Sequence, residues 1–236
     1  MQTTETHIVL ESSFEEDNYT SYVCEKYDLQ MKEKVTSIIP MINVDELNSF
    51  EWNIGLICGN SGSGKSTILN KLGEIKTPTY DFSKPICSQF PHLSEQEVCD
   101  LLSSMGLASV PLWLHKPNEL SNGEKARLDL CWLIANAKEG EILLIDEFTS
   151  VINRSAAQSL SYCFQRYIRK HNLKAIVASC HYDIIQFLNC CWCYSLSKQE
   201  NGLCEIERFI YTDSKDYEVY SQINPKNELT EKKKIN

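Results

Sequence analysis

Apolar and polar positions fall into short buried-type runs and helical stripes along most of the chain. The run Asn53-Ile54-Gly55-Leu56-Ile57-Cys58 is apolar, short and followed at once by a Gly/Ser loop, the form of a buried strand feeding a turn. A helix is expected over residues 65–73, and residues 86–90 read as another short strand. Ser94-Glu95-Gln96-Glu97 has the chemistry of a helix start with a capping box, for a helix reaching about Ser104. A further helix is expected to start near Gly123, to carry Leu128, Cys131, Leu133, Ile134 and Ala135 on a broad apolar face, and to stop at Gly140. Residues 141–148 then read as a buried strand. Leu160, Cys163, Phe164, Tyr167 and Ile168 sit at i, i+3, i+4, i+7 and i+8, which predicts an amphipathic helix between Asn153 and His171; a strand at 175–179 follows. Asn201-Gly202 is a type I′ turn pair, predicting a hairpin of 191–196 with 203–211. Residues 7–14 fit a first strand, 18–50 give no clear assignment, and 213–236 read as a polar tail. Strands alternating with helices imply an α/β domain with a mostly parallel sheet, helices on both faces, and ligand sites at the carboxyl ends of the strands.

Composition changes this picture little. The 236 residues suffice for one large domain, and 42% hydrophobic with 23% charged residues excludes a disordered or fibrous chain. A balance of 32 acidic against 23 basic residues, net −9, argues against broad attraction to nucleic acid or anionic membranes. The start Met1-Gln2-Thr3-Thr4-Glu5 lacks the charged and apolar regions of a secretory signal. No apolar run approaches the roughly 18 residues a membrane-spanning helix needs, so a cytoplasmic location is expected. Eleven cysteines are then expected as reduced thiols. Cys190, Cys191 and Cys193, with Cys180, His181 and Cys204 nearby, raise a metal reading; strand alternation disfavours it by sending Cys190 and Cys191 to opposite faces.

The chemistry begins at Gly59-Asn60-Ser61-Gly62-Ser63-Gly64-Lys65-Ser66-Thr67, which fits GxxxxGK[ST]. Its backbone N–H groups and the following helix N-terminus suit phosphate; Lys65 would reach the β and γ phosphates of ATP, and Ser66 would ligate Mg²⁺. The apolar run Ile142-Leu143-Leu144-Ile145 ends in Asp146 and Glu147, placed to hold Mg²⁺ and to orient the attacking water respectively. At Ser121 to Glu124 a helix N-terminus offers a second anion site, where Ser121 and the Gly123 amide would meet a γ-phosphate; Ser121 would equally serve as a plain N-cap.

Leu120-Ser121-Asn122-Gly123-Glu124-Lys125-Ala126-Arg127 resembles the signature of ABC (ATP-binding cassette) ATPases. Around it, in that family's order, stand a Q-loop glutamine, Gln89, the acidic pair at 146 and 147, a D-loop stretch Ser150-Val151-Ile152-Asn153, and a switch histidine, His181. Residues 50–195 are closer still to a soluble group from archaea, bacteria and phages, sometimes fused to a predicted acetyltransferase domain; any such partner of this chain is expected to be separate.

The resemblance implies a P-loop NTPase fold of the ABC type over residues 1–212, with a reduced helical subdomain at about 91–122. It implies ATP hydrolysis in a head-to-tail homodimer, in which Lys65, Ser66, Gln89, Asp146, Glu147 and His181 of one copy face Ser121 and Gly123 of the other. Glu147, His181, Gln89 and Lys65 would form the catalytic set, and Ser66, Gln89 and Asp146 would hold Mg²⁺. Tyr27 is the adenine-stacking candidate, with Tyr22 and Trp52 as rivals. Asn153 departs from the usual D-loop aspartate. The expected role is a soluble ATPase acting on a protein or nucleic-acid partner. The alternatives are the ATP-binding subunit of a membrane transporter, or a nucleotide-binding regulatory module with little turnover.

Overall fold

The computed structural model describes residues 7–12, 15–28, 35–42, 50–198 and 204–210. Strands β1 (His7–Ser12) and β2 (Val35–Pro40) form an antiparallel pair. The main sheet comprises β3 (Ile54–Gly59), β4 (Ile142–Ile145), β5 (Lys174–Ser179), β6 (Trp192–Lys198) and β7 (Cys204–Ile210) in the order β4-β5-β3-β6-β7. All neighbours run parallel except β7, which pairs antiparallel with β6.

Strand side chains alternate between faces, and here both faces are apolar. Ile54, Leu56 and Cys58 of β3 point with Leu143, Ile145, Ala175, Val177 and Cys193 into one core. Ile57 points with Leu144, Ile176, Ala178, Trp192 and Tyr194 into the other. The first core is closed by α3 (Glu95–Ser104), α4 (Asn122–Ala135) and α5 (Arg154–Lys170). The second is closed by Ile68 and Leu69 of α2 (Lys65–Leu72), with Ile8 and Ile39 of the β1–β2 pair. Helix α1 (Asn18–Lys26) is capped by Asp17 and buries no residue. The short α6 (Ile185–Leu188) precedes β6.

Several expectations need correction. Residues 86–90 form no strand: Ile86–Ser88 is a 3₁₀ turn entered from Pro85, and the Ser88 and Gln89 N–H groups bond back to Pro85 and Ile86. Ile86 and Phe90 are buried, so the apolar pattern came from burial without pairing. Helix α4 stops at Ala135, where the Asn136 side chain bonds the Trp132 carbonyl; Gly140 lies beyond, in the turn before β4. Strand β4 ends at Ile145, so both acidic residues sit past it. The unassigned 18–50 stretch contains α1 and β2. Strands β6 and β7 pair as the hairpin expects, while the Asn201-Gly202 turn and the 213–236 tail lie outside the described residues.

Candidate functional site

Gly59 ends β3, and the chain turns through residues 60–63 into α2, whose N-cap is Gly64. Gly64 has φ +96°, a region that disfavours side chains, and a Cβ there would come within 2.7 Å of Ile39 Cδ1 on β2. A Cβ on Gly59 would meet the Leu196 carbonyl and Ser63 Oγ at 2.6 Å each. The loop is therefore pressed against its neighbours, leaving its N–H groups and the α2 dipole as the local positive field. Lys65 Nζ donates to the Gly59 carbonyl at 2.7 Å and the Asn60 carbonyl at 2.8 Å, which holds the ammonium across the loop mouth. Ser66 is exposed on the first turn of α2, Thr67 is half-buried, and Asn60, Ser61 and Gly62 are exposed.

The register brings the other chemistry to the same edge. Ile145 pairs with Val177 and Cys58 with Ser179, so β4, β5 and β3 all end at the same edge of the sheet, β4 two residues short of β5, and β4 lies two strand spacings, roughly 10 Å, from β3. Asp146 accepts the Glu147 N–H at Oδ1, 2.8 Å away. Glu147 is exposed with φ +49°, and Thr149 follows, buried, with φ +72°. Thr149 Oγ1 lies 3.1 Å from His181 Nδ1 and 3.4 Å from Ser179 Oγ. His181 stands two residues past β5 and is half-buried; burial, then Arg154, lowers its pKa, and Asp183 opposes them. The donor set of Ser66 hydroxyl and Asp146 carboxylate is hard oxygen, which suits Mg²⁺.

Gln89 is spent elsewhere: its Oε1 accepts the Asp81 N–H, and its Nε2 donates to the carbonyls of Asp81, Lys84 and Pro85. Ser121 is the N-cap of α4 in a capping box with Glu124, whose carboxyl the Ser121 bonds hold below its ordinary pKa. A Cβ on Gly123 would touch Ile152 at 3.9 Å, so this helix start borders the loop after β4. No hydrogen bond or ion pair among the described residues joins Ser121 or Gly123 to residues 59–67. Asn153 caps α5, its Oδ1 accepting the Ala156 N–H at 2.9 Å, a task aspartate would share.

Among the aromatic candidates, Tyr27 and Tyr22 are exposed, at 63% and 60%. Trp52 is a core residue, 3% exposed and edge-on to Trp192 at 5.6 Å, so it drops out as a stacking platform. The described cysteines are free thiols, and the described residues assemble no group of three metal-ligating side chains. Cys190 and Cys193 are buried; Cys193 Sγ lies 3.4 Å from Cys58 Sγ. Sequence reasoning missed Thr149 and Ser179, because Thr149 is distant in the chain and reaches Ser179 and His181 only through the fold.

No family model matches the chain. It is 25% identical to the erythromycin resistance ATP-binding protein MsrA of Staphylococcus epidermidis, over 78% of this chain and 36% of that protein. It is 26% identical to the lipoprotein-releasing system ATP-binding protein LolD of Maricaulis maris (strain MCS10), over 56% of this chain and 75% of that protein. The chain thus spans about a third of MsrA. Among solved structures it is similar to the dimeric post-hydrolysis state of the cassette MJ0796 bound to ADP and Pi. That likeness has a TM-score of 0.53 and 18% identity, covering 77% of this chain and 94% of the other, and it shows the fold.

Proposed function

We propose that this chain, which has the fold of an ABC-type ATPase and ABC ATP-binding proteins for relatives, binds Mg-ATP along residues 59–67 and hydrolyses it. One observation carries the reading: the phosphate loop, the carboxylates of Asp146 and Glu147, and His181 all follow the carboxyl ends of neighbouring strands at one edge of the sheet. Lys65 exchanges its two carbonyls for β and γ phosphate oxygens. Ser66 and Asp146 hold Mg²⁺, and Gln89 joins them once it leaves the 81–85 loop. Mg²⁺, when bound, neutralises charge on the phosphates and polarises the γ-phosphoryl group. Glu147 orients the attacking water, and His181 contacts the γ-phosphate. Tyr27 stacks on adenine.

The helix start at Ser121 and Gly123 is a second anion site with no tie to the loop of its own chain among the described residues. In the head-to-tail homodimer it closes on the nucleotide held by the other copy, with ATP as the glue and hydrolysis as the release. MJ0796, dimeric with ADP and Pi bound, supports the homodimer. The dimer acts, in the cytoplasm, on a separate protein or nucleic-acid partner. The similarity to LolD, named as part of a lipoprotein-releasing system, favours a second reading as the ATP-binding subunit of a membrane assembly. No helix among the described residues is long and apolar enough to cross a membrane; on that reading a membrane protein would co-purify from detergent extracts.

Phosphate release by the wild type and by Glu147→Gln tests the main claim. The wild type is expected to turn over ATP and the variant to lose at least about a hundredfold in kcat, as for a residue that acts in the transition state. Equal rates would remove Glu147 from the chemistry.

A further inference from the structure

Three polar groups meet behind the imidazole of His181. Ser179, 1% exposed, accepts the His181 backbone N–H at its Oγ, 3.0 Å away. Its Oγ also lies 3.4 Å from Thr149 Oγ1, and Thr149, 4% exposed, lies 3.1 Å from His181 Nδ1. Each hydroxyl has one proton to give, and a neutral imidazole has one donor and one acceptor nitrogen.

Only one direction satisfies the whole chain. If Ser179 donates to Thr149 and Thr149 donates to Nδ1, every proton has an acceptor. In the reverse direction Nδ1–H donates to Thr149 and Thr149 to Ser179, and the Ser179 proton has no acceptor among the described residues. A buried donor left unmade is costly, so the first direction wins.

We propose that Thr149 is a positioning residue that fixes His181 as the neutral tautomer protonated on Nε2, so that the ring offers a donor to the γ-phosphate. Which ring nitrogen carries the proton is set by the bond the other one makes. The backbone supports the role: Thr149 is β-branched yet sits at φ +72°, where side chains are strained, and that conformation delivers its hydroxyl to Nδ1. Burial and Arg154, which favour the neutral ring over Asp183, act in the same sense.

The inference rests on the reading of His181 as a phosphate contact, but its first test needs no nucleotide. In ¹⁵N-histidine-labelled full-length protein at neutral pH, with His181 assigned by its loss in His181→Gln, Nδ1 is expected unprotonated and Nε2 protonated. Thr149→Val, which keeps the β-branch and removes the hydroxyl, is expected to mix the tautomers, and Thr149→Ser to restore the wild-type pattern. In ATP hydrolysis Thr149→Val is expected to lose about tenfold in kcat, the worth of one hydrogen bond, with KM changed less than about twofold and recovery in Thr149→Ser. A protonated Nδ1 in the wild type, or an unchanged tautomer ratio in Thr149→Val, would overturn the relay whatever the ATPase rate. A wild type that releases no phosphate overturns the ATPase reading, and the spectra still decide the relay.

Discussion

Glu147 and Thr149 are both held at positive φ, within three residues, where an unconstrained chain would put neither. Such conformations cost about 1–3 kcal/mol each and persist where surrounding structure determines them. Here the Phe148 N–H is fixed to the Ala178 carbonyl at 2.8 Å between them, and Ser150 Oγ donates to the Glu147 carbonyl at 2.8 Å. His181 answers to the same turn, and its environment has a measurable signature. Because burial and Arg154 lower its pKa in the fold, with Asp183 opposing, the unfolded chain takes up a proton below pH 6.5 that the folded chain refuses. The unfolded state then binds more protons, so stability rises with pH across that window and falls as pH drops through 6.5. Urea midpoints taken from about pH 7 to about pH 5 are expected to fall less steeply in His181→Gln than in the wild type. Parallel slopes would show that this ring does not feel its surroundings.

Helix α4, whose start is proposed as a second anion site, is closed at that start and tied outward by two side chains. Its start is closed by the Ser121–Glu124 box, Arg127 donates to the Met105 carbonyl at 2.7 Å, and Asp129 pairs with Lys125 while accepting the Tyr80 hydroxyl at 2.8 Å. Lys125 also lies over the Tyr80 ring, 4.4 Å from its centroid. Tyr80 neighbours Asp81, whose backbone is clamped by Gln89, so the Gln89 loop and α4 are joined through one phenol. Tyr80→Phe is expected to lower the denaturant midpoint by about 1 kcal/mol equivalent with an unchanged slope. Both capping boxes, at Ser94 and Ser121, were legible in the sequence because their partners lie three residues apart. The turn from β3 into α2 and the acidic pair after β4 were legible for the same local reason. Helix α1 was not, because it buries nothing and so carries no apolar stripe, and the 86–90 turn misled because burial alone mimics a strand. The Gln89 clamp is local but belongs to an irregular loop that no periodicity marks, and the Thr149–His181 contact is a product of tertiary folding, which no spacing in the chain announces.

At the scale of the whole molecule, a two-faced sheet gathers the strand ends at one edge, and no hydrogen bond or ion pair among the described residues ties the α4 start to residues 59–67. If two copies close on nucleotide, a form that binds but does not hydrolyse ATP should accumulate as the dimer. Light scattering of Glu147→Gln is expected to show the 27.1 kDa chain doubling in mass when Mg-ATP is added and reverting with ADP. A mass indifferent to ATP would count against the sandwich.

Ile39 rests on Gly64, so β2 touches the turn that would grip phosphate. Coupling between two sites is reciprocal: whatever β2 contributes to nucleotide affinity, nucleotide must return to β2 as protection. The backbone amides of Val35 to Ile39 in β2 should therefore exchange with deuterium more slowly when Mg-ATP is bound. The small outer sheet would then serve as a built-in gauge of site occupancy, readable at the far side of the loop from the chemistry itself.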